Sequence, residues 1–330
     1  MPEIHSKSIY HGLPVFSSEI KGLTAIVTGP SGISGHQKLK VFCKTRVAGR
    51  NLRSQSSASW LSARGVCAVY VFCFAYIQPA PKGAGLWGAE EEMVNVNQNL
   101  LVNFLSSLNL NNTIPKRVLL QQESKYYGVH YGPASCPLEE TDPRVLTGPS
   151  FYCDQEDYQK AFAEEHQIGW NTTRPFHIEE ILQQPLEYHS SLKAWETNVS
   201  ISSAQANGHL VEWAVLTEET KNERYRGVAL VQAMKPPTRQ SRFPPIHRTV
   251  MVLPTWVTSA SIGQIGRTAN WTKTPEVQKA WAEIAEKHGL REEFGDFDRV
   301  VGFADLLLAL TWSISLSMSK AKKMRVFRVC

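Results

Sequence analysis

Acidic side chains are missing from two long stretches of this chain. From Ile20 to Ala89 and again from Arg224 to Pro275 there is no aspartate or glutamate, although the 330 residues carry 30 of them. Cysteine is also sparse. Cys43, Cys67, Cys73, Cys136, Cys153 and Cys330 show neither paired metal-ligand spacing nor the density of a disulfide-stapled secreted scaffold, so they read as free thiols and no metal site is expected. Met1 to Ser18 is polar and has no apolar core of signal-peptide length, which makes the Asn-x-Ser/Thr triplets at Asn111, Asn171, Asn198 and Asn270 chance matches and predicts a cytoplasmic protein. The apolar run Phe303 to Met318 contains Asp305 and several serines and falls short of the roughly 20 residues that cross a bilayer. It reads as a buried element, with no membrane partner. A formal charge of +5 without basic residues interleaved with aromatics argues against nucleic acid and suits an anionic small molecule. The histidines have no serine or cysteine partner motif, so hydrolysis is not expected. There is no internal repeat.

The length, with 42% apolar residues, accommodates a nucleotide-binding unit and a smaller second region. Leu23 to Thr28 reads as a strand that runs into Gly29-Pro30-Ser31-Gly32-Ile33-Ser34-Gly35, followed by a helix over 33–43. Such glycines turn the chain tightly, allow a pyrophosphate close to the backbone and seat the next helix against a sheet. The spacing alone also fits an ordinary glycine turn. The strand before it and the helix after it favour the dinucleotide reading, which makes Gly29, Ser31, Gly32, Ile33 and Gly35 candidate cofactor contacts. Val66 to Ile77 is a further apolar run of strand length. A helix is predicted over Glu90 to Ser107, a strand at Val118 to Leu120, and a helix capped by Asp154 that runs to about Gln167 and is ended by Gly169 before a strand near Trp170 to Thr173. Thr274-Pro275 opens a helix that stops at Gly289. This alternation predicts an α/β fold of Rossmann type, a doubly wound parallel sheet with helices on both faces.

The most specific residues are Lys125-Tyr126-Tyr127-Gly128 and Phe151-Tyr152-Cys153-Asp154-Gln155-Glu156-Asp157. Taken with Val69 to Pro79, Leu119-Leu120-Gln121 and Trp170 to Pro175, they resemble the progesterone 5β-reductase/iridoid synthase-like branch of the extended short-chain dehydrogenases/reductases, and its fungal members most. The resemblance implies Tyr152 and Lys125 as the catalytic pair. Here the lysine precedes the tyrosine by a long interval, instead of following it by four positions on one helix as in most short-chain dehydrogenases. It further implies NADPH as cofactor, with NADH as the alternative, and Ala75, Tyr76, Asn97, Gln121, Arg174 and Pro175 near that cofactor. The implied partner is a small carbonyl or enone substrate, a homodimer is compatible, and residues 20–178 would form the NAD(P)-binding domain with 179–330 covering the substrate. Cys153 departs from the second tyrosine usual in the branch. Tyr126 and Tyr127 either line the pocket or have no part in it.

Hydride delivered to an enone or ketone leaves negative charge on oxygen, which calls for a proton or hydrogen-bond donor. Tyr152 is the expected donor. A phenol of pKa about 10 is a weak acid, and a nearby ammonium, that of Lys125, favours its ionisation.

Against the family pattern the chain departs at about 36–65, 179–191, 224–272 and the C-terminus. Between Gly35 and Val69 it is too short for the helices, strands and crossovers a full sheet needs, so an incomplete sheet is expected. Arg46, Arg50 and Arg53 are at a suitable distance from the glycines to meet an NADP 2′-phosphate but are in no matching motif. With the acid-free spans and the Arg325 to Cys330 ending, these departures suggest an abbreviated or misassembled reading frame. The alternatives are an NAD-dependent epimerase or dehydratase, and a non-catalytic dinucleotide-binding protein.

Overall fold

The computed structural model describes residues 3–7, 10–16, 20, 22–42, 68–79, 90–179, 197–227, 229–233, 267–289 and 310–324. In chain order the strands are β1 (Glu3–Lys7), β2 (Tyr10–Val15), β3 (Ala25–Thr28), β4 (Tyr70–Cys73), β5 (Arg117–Gln121), β6 (Gly169–Arg174), β7 (Ile178–Glu179), β8 (Asn198–Ser203), β9 (Glu223–Arg226) and β10 (Ala229–Ala233). The helices are α1 (Ile33–Phe42), α2 (Glu90–Leu110), α3 (Phe151–Glu165), α4 (Ala204–Leu216), α5 (Arg267–Thr272), α6 (Pro275–His288) and α7 (Ser319–Lys323), with a 3-10 turn at Ser124–Tyr127.

β3, β4, β5, β6 and β9 form one all-parallel sheet in that spatial order. Its side chains alternate across the pleat. Phe72 and Leu119 join Leu210, Trp213 and Tyr225 in one buried cluster. Val71, Cys73, Val118 and Leu120 join Leu101, Leu105, Leu108 and Phe162 in another. One face is therefore covered by α1 and α4, the other by α2 and α3, which is the doubly wound α/β arrangement predicted from the alternation. Register pairs Thr28 with Cys73, Cys73 with Leu120 and Leu120 with Thr172, so the carboxyl ends of four strands share one edge. Ligands of such sheets bind at that edge.

A smaller sheet, β10-β8-β7, pairs β8 antiparallel with β10 and parallel with β7. β1 and β2 form an antiparallel hairpin that buries Leu13. The segment 310–318 makes bridges from Ile314 to Val199 and from Leu316 to Leu138, and Ile314, Leu316 and Met318 are buried. No described helix is long and apolar enough to cross a membrane.

Several expectations change in detail. The cap of α3 is Ser150, in an extended conformation, and Asp154 lies inside the first turn, where a carboxylate still complements the helix dipole. The left-handed residue that ends α3 is Gln167, at φ 54°. Gly169 opens β6 instead, because a Cβ there would be 2.9 Å from Arg117 Nε and 3.1 Å from Lys221 Cγ. The stretch from Arg224 to Trp271, expected to break the pattern, begins with residues of two paired strands, β9 and β10. β9 also means that chain from beyond residue 178 completes the main sheet. The expected missing strand, and Arg46, Arg50 and Arg53, fall outside the described residues. Among the described residues nothing pairs with the outer edge of β3. α6 begins at Pro275 and ends at Gly289, φ 60°, as its sequence predicts.

Candidate active site

The loop between β3 and α1 is shaped by two of its three glycines. Gly29 has φ 65°, and a Cβ there would be 2.9 Å from Ala75 N. A Cβ on Gly35 would overlap the Gly29 carbonyl, and Gly35 is buried. Gly32 meets only Gly29 O at 3.5 Å, so packing does not require it to be glycine. Ser31, Gly32 and Ile33 are exposed at the start of α1, where the first amides of a helix have no partner within it. Thr28 Oγ1 accepts from Phe74 N and Ala75 N, both at 3.2 Å, and ties this loop to the end of β4. The cradle fits a dinucleotide pyrophosphate: closely packed backbone at Gly29 and Gly35 and a helix N-terminus behind it.

The loop after β4 is held from below by Asn97. Its Oδ1 accepts from Ile77 N at 2.9 Å, and its Nδ2 donates to Ile77 O and Met93 O at 2.8 and 2.9 Å. Asn97 is 1% exposed with its amide consumed, so it supports the segment carrying Ala75 and Tyr76 and its side chain does not reach outward. Tyr76 is 45% exposed, with its ring 5.9 Å from that of Phe151. Gln121, at the end of β5, donates to Ser34 Oγ at 2.7 Å and links the third strand end to the glycine loop.

Lys125 and Tyr152 line one pocket. They come from different elements, the 3-10 turn after β5 and the first turn of α3, and share the pocket with Glu90, Met93, Val94, His130, Tyr131, Pro149, Ser150 and Phe151. Glu123 Oε2 is 3.4 Å from Lys125 Nζ. Burial lowers the Lys125 pKa, and Glu123 only partly offsets this. The Tyr152 phenol is pushed well up, first by burial and then by the Glu123 and Tyr76 charges. Burial thus outweighs the acidification expected from Lys125, and the Glu123 charge adds to the upward shift. Tyr152 stays protonated at neutral pH. Burial, then the Lys125 charge, brings His130 down to about 4, so its imidazole is neutral. Its Nδ1 is buried without a hydrogen-bond partner, and its ring lies 4.0 Å from Tyr131.

Beneath the pocket lies a polar core. Glu156, 0% exposed, accepts from Arg174 Nη2 at 2.6 Å and from Arg224 Nε, and pairs with Lys160 at 2.8 Å. Burial would raise its pKa, but Arg174, Lys160 and Arg224 outweigh it and bring the carboxyl down to about 2. Arg174, 1% exposed, also donates to Gln122 Oε1 at 2.9 Å and to Tyr127 OH at 2.6 Å, with its guanidinium 3.4 Å from the Tyr126 ring centroid. Its donors are thus occupied inside the protein, away from the glycine loop. Tyr126 and Tyr127 are buried against it and are not among the pocket residues. Pro175 follows, with its carbonyl 3.5 Å from Ser124 Oγ. Cys153 is buried in the core.

So the structure brings Lys125 and Tyr152 together, and sets Gly29, Ser31, Gly32, Ile33, Gly35, Ala75, Tyr76 and Gln121 along the same sheet edge. Asn97 and Arg174 are beneath that edge. Sequence reasoning missed Glu123 and His130, which flank Lys125 closely enough to have been considered. It placed Glu156 in a motif but not its burial among cations, two of which, Arg174 and Arg224, are distant in sequence. Among the described residues no cluster could hold a metal.

No protein-family model matches the chain. It is 24% identical over 392 positions to uncharacterized protein C757.02c of Schizosaccharomyces pombe, covering 92% of each chain. That alignment is longer than the 330 residues here and so opens gaps in them. It is 25% identical over 272 positions to the short chain dehydrogenase gsfE of Penicillium aethiopicum, covering 70% of this chain and 68% of that one. Among solved structures it is similar to the Bordetella bronchiseptica enzyme WbmH in complex with NAD+, at TM-score 0.44 and 14% identity over 64% of this chain and 78% of that one. It is also similar to MlghC, a GDP-mannoheptose C4 reductase from Campylobacter jejuni with NADP bound, at TM-score 0.48 and 10% identity over 64% and 82%. The parallel sheet with its glycine loop is of Rossmann type, and the short chain dehydrogenase of Penicillium aethiopicum is what the chain resembles over 70% of its length.

Proposed function

We propose that the chain is an NAD(P)-dependent reductase of a small, largely apolar enone or ketone, of the progesterone 5β-reductase-like branch, with NADPH as its hydride source. The observation that carries this reading is the meeting of Lys125 and Tyr152 in one pocket at the carboxyl edge of the sheet. Gly29 and Gly35 would shape the pyrophosphate cradle, with Ser31, Gly32 and Ile33 at the helix N-terminus and Gln121, Ala75 and Tyr76 beside the path toward the pocket. Residues 20–178 would hold the cofactor, and 179–330 would cover the substrate while returning β9 to the sheet.

The reduced nicotinamide, when bound, supplies the hydride. Tyr152 then donates a hydrogen bond or proton to the substrate oxygen, a role suited to a phenol that burial keeps protonated. Lys125 would hold the nicotinamide ribose, and its positive charge would favour the oxyanion. Met93, Val94 and Phe151 give the pocket its apolar wall. For an enone, hydride reaches the β-carbon and Tyr152 stabilises the enolate oxygen. For a simple ketone, hydride reaches the carbonyl carbon and Tyr152 protonates the alkoxide.

The test is loss of NADPH absorbance on addition of cyclohexenone or cyclohexanone to the purified chain, with Tyr152→Phe as control. Turnover that falls by roughly 10² or more in the variant supports the reading. Equal rates in both proteins would remove Tyr152 from the chemistry.

A further inference from the structure

We infer that Arg174 is the positioning residue that holds the Tyr152 helix and the Lys125 turn in one fixed relation, acting through Gln122 and Glu156 on one side and Tyr126 and Tyr127 on the other. This rests on the reading that Tyr152 and Lys125 work as a pair.

The argument follows the hydrogen bonds. Gln122, just past β5, donates its Nε2 to the Tyr152 carbonyl. Its Oε1 accepts from Arg174 Nε at 2.9 Å, which fixes the amide in the orientation that points Nε2 at Tyr152. Arg174 Nη2 reaches Glu156 at 2.6 Å, one turn farther along the same helix as Tyr152. The path Tyr152, Gln122, Arg174, Glu156 is therefore a closed loop that pins the first two turns of α3, at one point in each. On its other side Arg174 Nη1 donates to Tyr127 OH at 2.6 Å, and the guanidinium stacks on Tyr126 at 3.4 Å. Those two tyrosines directly follow Lys125 in the 3-10 turn.

One planar group thus touches the neighbours of both pocket residues, while Lys125 and Tyr152 themselves line the pocket. Only a guanidinium can do this. Its fork presents several donors in fixed directions together with a flat face, whereas an ammonium in the same place is a point charge on a flexible stem. A displacement of the order of 1 Å between the two groups costs roughly 10² in rate. The clamp thereby ties sequence-distant residues to the precision the chemistry needs.

The test uses Arg174→Lys and Gln122→Met in the full chain. Gln122→Met removes no charge and keeps the decision open if Arg174→Lys fails to fold. Three readouts are compared with wild type: turnover of cyclohexenone, NADPH affinity by fluorescence, and amide hydrogen exchange. Positioning predicts that kcat falls roughly tenfold in Gln122→Met and by about 10² in Arg174→Lys, with NADPH affinity within about twofold. It also predicts that amides in 124–128 and 151–155 exchange at least about tenfold faster while those in 118–120 do not change. Unchanged exchange in both segments, or acceleration spread evenly over the sheet, would overturn the clamp and leave an ordinary buried ion pair. A large loss of NADPH affinity in Gln122→Met with kcat retained would equally overturn it. If wild type turns over neither cyclohexenone nor cyclohexanone, the reductase reading fails by itself, and the exchange pattern still decides the clamp.

Discussion

The two ends of the candidate site are built differently. At the glycine-loop end, β3 has no buried residue among its four, and Ile20, Leu23 and Ile33 are all more than 40% exposed. At the tyrosine end, Val118 and Leu119 are 0% exposed and a carboxylate with three cationic partners is sealed beneath the helix. The first end depends on backbone shape, the second on a dense polar network. Close backbone packing tolerates no added Cβ but needs few side chains. A buried charge cluster is the reverse, because every member depends on the others.

The largest effect should come from breaking the network. Glu156→Gln leaves Arg174 and Arg224 without their shared carboxylate and should lower stability by roughly 3–5 kcal/mol in urea titration. A loss below about 1 kcal/mol would mean that the cluster is not what holds this end. Next comes Gly35→Ala, whose Cβ meets the Gly29 carbonyl and should cost about 1–3 kcal/mol. Gly32→Ala should change stability by less than about 0.5 kcal/mol, since nothing lies within 3.5 Å of the new carbon. It should nevertheless weaken NADPH binding if the pyrophosphate approaches there. Wild-type affinity in Gly32→Ala would move the cofactor off this loop.

Acid titration sharpens the comparison further. The Glu156 pKa is depressed, from an ordinary 4.5 to about 2, so its contribution is fully present above about pH 4.5 and is lost as pH falls toward about 2. Stability of wild type should fall through that window, and Glu156→Gln should flatten the fall. The smallest effect concerns His130. Its folded pKa of about 4 lies below its ordinary 6.5, so the stabilisation it gives is complete above about pH 6.5 and declines as pH drops toward 4. Its imidazole carbon resonances should show no titration between about pH 5.5 and about pH 8, a range well above that pKa. A midpoint near 6.5 would show that the ring is open to water.

The sheet was legible because its signals are local. Apolar runs of strand length and the glycines at 29 and 35 each carry their reason within a few residues, and Pro275 and Gly289 bracket α6 in the same way. Tyr152 and Lys125 could be paired from motifs. The polar core could not. Gln155, Glu156 and Gln159 are buried on α3, where periodicity alone assigns such residues to a solvated face. Gln159 donates to the backbone carbonyls of Val118 and Asn171, both at 3.0 Å, and Glu156 meets Arg174 and Arg224 on separate strands. Those partners come together only when the sheet has formed. The same holds for Lys38, a buried lysine on α1 that donates to Gly208 O at 2.9 Å on α4.

The central claim is that this pocket transfers hydride to a carbonyl-conjugated substrate with Tyr152 as donor. The most direct measurement is mass spectrometry of the product formed from cyclohexenone and NADPH deuterated at the transferring position. The account predicts one deuterium at the β-carbon of cyclohexanone, or at the carbinol carbon if the carbonyl is reduced, with label falling by roughly 10² in Tyr152→Phe. Wild-type protein that binds NADPH yet puts no deuterium into product, or a Tyr152→Phe variant that labels as fast as wild type, would contradict it.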